Sequence, residues 1–432
     1  MPRSLYRQRF PLAAATGRTV CFRADRCCWL LLGALVSFVL VFPGTAISGS
    51  FDFLRQFVDP QDGHFDMGAF LAGKRGFLPV PLIITEPAVG YGGGLAVAYF
   101  HDREHSNGDR TDGASESAAA EGGLPPSITA VLGAATENGS WIGGAVHQGI
   151  WRNDSIRYLG VLGVASINLQ FYGIGDDSAL DDNPEQYNLG GAFLLQELRF
   201  RLPESNFFAG ARYQFLGSAV DFDSVPDIDI GEGSDAGLDD DPLPGVRKGD
   251  LDSSVGQLGF LLGYDSRDNI FSPNAGIKAD FEAMFAEDFL GSDFRFQKYR
   301  LSFLGYTPVT KWLDLGVRLD GRLARGDTPF YALPFIEMRG IPAMRYQDNV
   351  VALAEVQGNL RLTPRWTLTG FGGIGKESGT FDDFGKGDAR TTVGGGFWYL
   401  LALDLGLRVG IDVARGPDEW AFYLQVGSAW MR

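Results

Sequence analysis

Cysteine is nearly absent from the chain. Three stand in 432 residues, Cys21, Cys27 and Cys28. Beyond Cys28 neither a disulfide nor thiol chemistry is available. Cys27 and Cys28 precede an apolar run rather than follow it, which argues against lipid attachment. Long apolar runs are scarce too. Trp29 to Phe42 spans fourteen residues, short of the roughly twenty that a transmembrane helix needs. No long apolar segment follows, so a helical membrane protein is excluded. Histidine is rare, with His64, His101, His105 and His147 the only four. The first three sit in a polar lead or a low-complexity loop, and His147, on a strand, has no serine or acid nearby in sequence to suggest a relay; no metal-ligand cluster is recognisable. The chain is therefore not expected to be an enzyme, and no metal or cofactor is expected. Basic residues are outnumbered 37 to 53, which makes nucleic acid a poor partner.

The N-terminus has the layout of an export signal. Arg3, Arg7, Arg9, Arg18, Arg23 and Arg26 give a basic region. The apolar run follows, and Pro43-Gly44-Thr45-Ala46 supplies small residues for cleavage after Ala46. Residues 1–46 carry six arginines and one acid, Asp25, so removing them takes the net charge from −16 to −21. The remainder holds many of the 59 glycines and 33 phenylalanines of the chain. Exported, glycine-rich, aromatic-rich and alternating is the composition of a transmembrane β-barrel in the outer membrane of a Gram-negative-type envelope. The expected division is a signal peptide over 1–46, a short periplasmic lead over 47–76 and a barrel over 77–432.

Alternation is clearest at the C-terminal end. Leu403, Leu405, Leu407, Val409, Ile411 and Val413 are apolar, with Asp404, Arg408 and Asp412 among the residues between them. After Gly416-Pro417, Trp420, Phe422, Leu424, Val426 and Trp430 share an apolar face, opposite Glu419, Tyr423 and Gln425. Ten tilted residues project to about 23 Å along a barrel axis, close to the height of an outer-membrane apolar band. Trp420 and Trp430 are accordingly expected at the two membrane interfaces. Lys311–Arg325 alternates as cleanly, with Asp314, Arg318, Asp320 and Arg322 on the lumen face. Counting back to a proline-bearing edge strand at Leu78–Thr85 gives sixteen antiparallel strands, an even number as bacterial barrels require. His101–Pro126 reads as a low-complexity loop and Ser224–Asp250 as an acidic, solvated one. By parity these two fall on opposite sides, so either a strand before Gly173 is missed or one long loop is periplasmic.

Gly326–Arg345 joins two good strands yet contains Phe330, Tyr331, Leu333, Phe335, Ile336, Met338 and Ile341. A solvated loop is not made this way, and a wide barrel offers its own interior as the place to bury it. At the tip stand Glu337, Arg339 and Gly340. A guanidinium in a partly dry wall needs carboxylates, and the inward-facing candidates are Asp320, Glu355 and Asp404.

Several of these stretches resemble the BamA/TamA-type outer-membrane assembly barrels, the bacterial surface-antigen family. Gly263–Asn269 with Ser272–Gly276 is similar to that family's Asp-x-Arg-Asn turn followed by Pro-x-x-Gly. Met338-Arg339-Gly340-Ile341 resembles the Arg-Gly-aromatic motif of its lumen loop, with Ile341 in the aromatic's place. Val393–Phe397 and Leu405–Val409 resemble its closing strands. Gln425, Gly427 and Trp430 fit its C-terminal targeting signal, although the chain ends in Met431-Arg432. The likeness runs from Leu78 to Arg432. It implies a sixteen-stranded barrel, a loop folded into the lumen, and a weak seam between first and last strands. The periplasmic POTRA domains of that family are not recognisable here, so the resemblance implies a short form.

Two functions follow as expectations. The first is assistance to the insertion or translocation of proteins or lipids at the outer membrane. Its partners would be outer-membrane lipid, unfolded outer-membrane or secreted proteins, and a separate POTRA-bearing periplasmic chain. The alternative is a passive channel for small solutes or cations, favoured by the charged inner faces and opposed by a plugging loop.

Overall fold

A computed structural model describes residues 57–59, 62–68, 76–101, 127–175, 180–181, 183–223, 243, 246–403, 406–428 and 430. The expected signal peptide, the His101–Pro126 loop beyond His101, most of the Ser224–Asp250 loop, and Asp404 lie outside them. The strands open with β1 (Gly76–Glu86), β2 (Gly90–Phe100), β3 (Ile128–Thr136), β4 (Trp141–Trp151) and β5 (Ile156–Phe171). Then come β6 (Glu185–Arg201), β7 (Phe207–Phe222), β8 (Asp252–Asp265), β9 (Gly276–Ala286) and β10 (Phe296–Pro308). β11 (Leu313–Gly326), β12 (Val350–Arg361) and β13 (Trp366–Ser378) lead to β14 (Arg390–Ala402), β15 (Leu407–Arg415) and β16 (Trp420–Val426). Sixteen strands pair in chain order without a crossover, each antiparallel to the next, in a nearly closed barrel.

The alternation decides which side faces where. On β11, Leu315 and Leu319 are exposed on the outer wall, while Asp314, Arg318 and Asp320 are buried on the inner one. Outside, apolar side chains meet lipid; inside, each charge can find a partner across the strands. Trp141 and Trp151 stand at the two ends of the outer face of β4, ten residues apart. Near the Trp151 end, outer aromatics pair off: Phe77 with Tyr99, Trp151 with Tyr158, Phe207 with Tyr264, and Trp366 with Tyr399. These rings form one interfacial girdle.

The parity question resolves in favour of a long loop on the other side. Among the described residues no further strand precedes Gly173. The connections after even-numbered strands are short from β4 onward, and only the one after β2 is long. It leaves from the short-turn end, which also carries the start of β1 and the end of β16. Short turns face the periplasm in such barrels.

The expected interface role of Trp430 does not hold. Trp420 is 69% exposed on the lipid face, but Trp430 is only 8% exposed. The alternation carries Trp420, Phe422 and Val426 outward and Ala421 and Tyr423 inward, then stops. Gly427, at φ +85°, ends β16 in a conformation that favours glycine. Beyond it the chain turns into the lumen, where Trp430 lies 5.8 Å from Tyr306. A period-two pattern cannot be extended through such a residue. In single-tryptophan variants, lipids brominated on the acyl chain are expected to quench Trp420 and leave Trp430 bright. Equal quenching would return Trp430 to the lipid face.

The lead is tied to the short-turn end. Arg365, between β12 and β13, is 2% exposed at its side chain and pairs with three aspartates of the lead. Asp59 and Asp62 each lie 2.5 Å from it, and Asp66 completes the set. The Met67 N–H donates to the Leu401 carbonyl at 2.7 Å, and the Tyr399 hydroxyl to the Phe65 carbonyl at 2.6 Å. Hydrogen bonds from Arg365 hold the Asp62 carboxyl below the usual carboxylate range. Burial works the other way on Asp66, but Arg365 and two backbone N–H groups outweigh it. Their folded values being depressed, the attachment is complete above pH about 4 and fades as pH falls through those values. A fluorophore at position 64 should gain rotational freedom only under such acid conditions, and at neutral pH in Arg365→Ala. An unchanged anisotropy in that variant would show that the ion pairs do not hold the lead.

Candidate functional site in the lumen and at the seam

Residues 327–349, between β11 and β12, fold into the barrel. The loop is braced by its own backbone. Ile336 N–H donates to the Tyr346 carbonyl at 2.9 Å and Asp348 N–H to the Pro334 carbonyl at 3.0 Å. Phe330 and Tyr331 enter an apolar cluster on the wall with Phe171, Tyr187, Val255 and Phe296. Ile336, Met338 and Ile341 pack with Tyr346, Val351 and Leu353. The side chains that made this loop too oily for solvent are thus the ones that fix it inside.

The tip carries the charge. Arg339 is 2% exposed. Its Nη1 donates to Asp412 Oδ2 at 2.8 Å, and its Nη2 to Gln357 Oε1 at 2.9 Å. Glu355 lies 3.8 Å from Nε, and the guanidinium sits 3.4 Å above the Phe371 ring. The Trp398 indole N–H holds the other oxygen of Asp412 at 2.8 Å. One loop residue therefore grips strands β12, β13 and β15.

Of the three expected partners, Glu355 is near Arg339 and Asp404 lies outside the described residues. Asp320 has a different set: Arg300 at 2.6 Å, Arg322 at 3.0 Å and Arg318 at 3.3 Å. Three arginines on neighbouring inner-wall positions already surround it. Glu337 joins that group instead of Arg339, pairing with Arg322 and approaching Arg318 at 3.8 Å. Arg318 also binds Glu355 at 2.8 Å and donates to the Glu337 carbonyl at 3.0 Å. The two carboxylates and three arginines tie the descending limb of the loop to β10 and β11.

The principal partner, Asp412, escaped the sequence reading although it shares a polar face with Asp404. Alternation specifies a face but not a depth, and Asp412 sits eight residues further along. Gly340 adds contacts that no charge pattern signals. Its φ is +93°, and its N–H donates to the Tyr423 hydroxyl at 2.9 Å. Its carbonyl would lie 1.8 Å from a Cβ built on Gly416, in the β15–β16 turn. The tip is pressed against the last hairpin with no room for one methyl group.

The seam lies next to that hairpin. Among the described residues no backbone ladder joins β1 to β16. Pro79 and Pro81 stand in β1, whose register with β2 is unbroken from Gly76 to Glu86. Proline has no N–H to donate, so an unbroken ladder leaves these two missing donors on the seam edge. Where the strands do touch, the Leu424 N–H donates to the Thr85 hydroxyl at 3.2 Å instead of to a backbone carbonyl.

At the short-turn end the C-terminal segment helps fill the lumen. Gly427 and Ser428 line a small cavity with Tyr306, Gln357, Asn359 and Arg408. Gln425 and Gly427 belong to β16 and its end, and Trp430 to the inward turn described above. The β8–β9 turn caps itself: Asp268 accepts from the N–H groups of Asn274 and Ala275 at 3.0 and 3.2 Å. Asn269 accepts from Phe271 and Ser272 at 2.8 and 2.9 Å. Asp265 binds Arg267 at 2.9 Å and Arg157 at 3.2 Å.

Comparison with known proteins agrees with this architecture. The Omp85 superfamily domain matches residues 167–335, a span that runs from β5 into the lumen loop. Among curated proteins no sequence matches. Among solved structures, BamA from Haemophilus ducreyi lacking POTRA domains 1–3 is similar, with a TM-score of 0.52 at 10% identity. That match covers 82% of this chain and 70% of the other. CdiB from Acinetobacter baumannii gives a TM-score of 0.49 at 9% identity, over 81% of this chain and 59% of its own. With an Omp85 superfamily domain matched over residues 167–335, sixteen strands in order and a braced lumen loop, the chain has the fold of an outer-membrane β-barrel similar to that of BamA.

Proposed function

We propose that this barrel assists the insertion or translocation of proteins at the outer membrane, and that the β1–β16 seam is where a substrate strand engages. The observation that carries the reading is the missing ladder at that seam. A sheet edge with free backbone groups is a template for an incoming extended chain. Here β1 lacks two donors because of Pro79 and Pro81, so closing the seam gains little and opening it loses little. The Arg339 brace keeps the neighbouring β12–β15 wall fixed while the seam works. Unfolded outer-membrane or secreted chains are the substrates this edge suits, and a periplasmic POTRA-bearing chain is a partner that could deliver them. No enzymatic step is required.

The test is photo-crosslinking in cells from Ile83, on the outer face of β1, with and without a seam lock. Thr85→Cys with Leu424→Cys supplies the lock at two residues already in contact. Capture of unfolded outer-membrane proteins that disappears on oxidation and returns on reduction is the expected result. No capture in either state, with a steady conductance from the purified barrel, would favour a passive channel. The loop that fills the lumen speaks against that second reading.

A further inference from the structure

The lumen loop and the wall opposite Arg339 enclose a half-open cavity of about 200 Å³. Four cationic side chains line it: Arg212, Lys298, Arg300 and Arg322. Glu282 is the single carboxylate among its lining residues, and it is taken up by Arg212 at 2.8 and 3.3 Å. Alternation explains how the cations converge. Lys298 and Arg300 are successive inward positions on β10, and Arg322 pairs with Arg300 across the β10–β11 ladder.

The donors are not all used. Lys298 Nζ donates to the Ala332 carbonyl of the lumen loop at 2.8 Å, and no carboxylate lies within salt-bridge distance of it among the described residues. An ammonium has three N–H donors, so two remain. Arg300 and Arg322 each commit Nε and Nη2 to Asp320, and Arg322 adds Glu337. Among the described residues their Nη1 groups make no hydrogen bond. The wall thus holds an uncompensated ammonium and two spare guanidinium edges around one space. At about 30 Å³ per water, that space admits an oxyanion with part of its hydration.

We infer that this cavity is a binding site for a phosphate-type oxyanion, held by Lys298, Arg300 and Arg322 against the descending limb of the lumen loop. Charge-assisted bonds from a point-like ammonium and planar guanidinium edges suit tetrahedral oxyanions. Because Lys298 also holds the Ala332 carbonyl, a bound oxyanion would connect wall and loop on the side away from Arg339. The inference does not depend on the seam. The same chemistry is offered by free inorganic phosphate and by the phosphate of a lipid headgroup.

The experiment is calorimetric titration of sodium phosphate into the purified full chain in detergent micelles, against sodium chloride at matched ionic strength. Saturable binding specific to phosphate is expected. It should weaken by about tenfold or more in Lys298→Met, which removes the charge and its bonds, and largely survive in Lys298→Arg. A wild-type protein that shows no difference between phosphate and chloride overturns the site, whatever the variants do. Equal binding by wild type and Lys298→Met overturns the assignment to this cavity. Phosphorus NMR of protein extracted from membranes separates the sources. A lipid phosphodiester signal that inorganic phosphate displaces identifies a headgroup, and saturable phosphate binding without such a signal identifies the free ion.

Discussion

Replacing Arg339 by alanine is expected to destabilise the barrel by about 3–5 kcal/mol, the cost of leaving a buried carboxylate without its cation. Asp412 is 0% exposed, and after the substitution the Trp398 indole N–H is the bond it keeps. Gln357 loses a donor, and the Phe371 face loses the cation lying 3.4 Å above it. Arg339→Lys should fall between. It restores the charge but not the planar fork that serves Asp412 and Gln357 at once. The combined replacement Arg339→Met with Asp412→Leu should recover much of the lost stability, since two matched apolar residues can substitute for a buried pair. It should not recover the loop position, because the directional contacts to β12 and β15 are gone. Urea midpoints in lipid vesicles and heat resistance on gels measure the first quantity; a disulfide trap between cysteines placed at positions 340 and 416, which touch in the wild type, reports the second. If Arg339→Ala unfolds within 1 kcal/mol of wild type, the loop is held by its apolar packing and the ion pair is incidental.

How far the sequence reaches differs between parts of this protein, for physical reasons. All sixteen strands are legible, because lipid on one side and charged lumen on the other impose alternation on every strand. The burial of the loop is legible as well, since Phe330, Ile336, Met338 and Ile341 have no place in water. Partner choice is less so. Asp320 was a reasonable partner for Arg339 on a period-two wall, yet three nearer arginines occupy it. Register and strand stagger decide which inward positions meet, and neither is written in the pattern of a single strand. Trp430 shows the other limit. Its spacing from Trp420 satisfies the membrane thickness, but one glycine with positive φ breaks the period between them, while Trp141 and Trp151 on β4 have the same spacing with no such break.

Gly416→Ala is expected to displace the loop tip with no change in charge or hydrogen-bonding groups. The added Cβ would stand 1.8 Å from the Gly340 carbonyl oxygen and 2.7 Å from its carbon. Gly416 is not among the residues with positive φ, so the substitution carries no backbone strain of its own and the collision is the whole perturbation. One side must yield. The β15–β16 hairpin is held through its ladder from Val409 to Arg415, whereas the tip hangs on the Arg339 contacts and the Gly340 N–H bond to Tyr423. The tip should therefore move, stretching the 2.9 Å bond to Tyr423 and the 2.8 Å pair to Asp412. Overpacking of this kind costs about 1–3 kcal/mol, less than Arg339→Ala, and the two effects should not add, because both act through one set of contacts. Tyr423→Phe removes only the hydroxyl and separates the cases. If Gly416→Ala loosens the tip through that bond, Tyr423→Phe in the Gly416→Ala background should change stability less than it does in wild type. Equal losses in both backgrounds would mean that the hairpin gives way and the tip stays where Arg339 holds it.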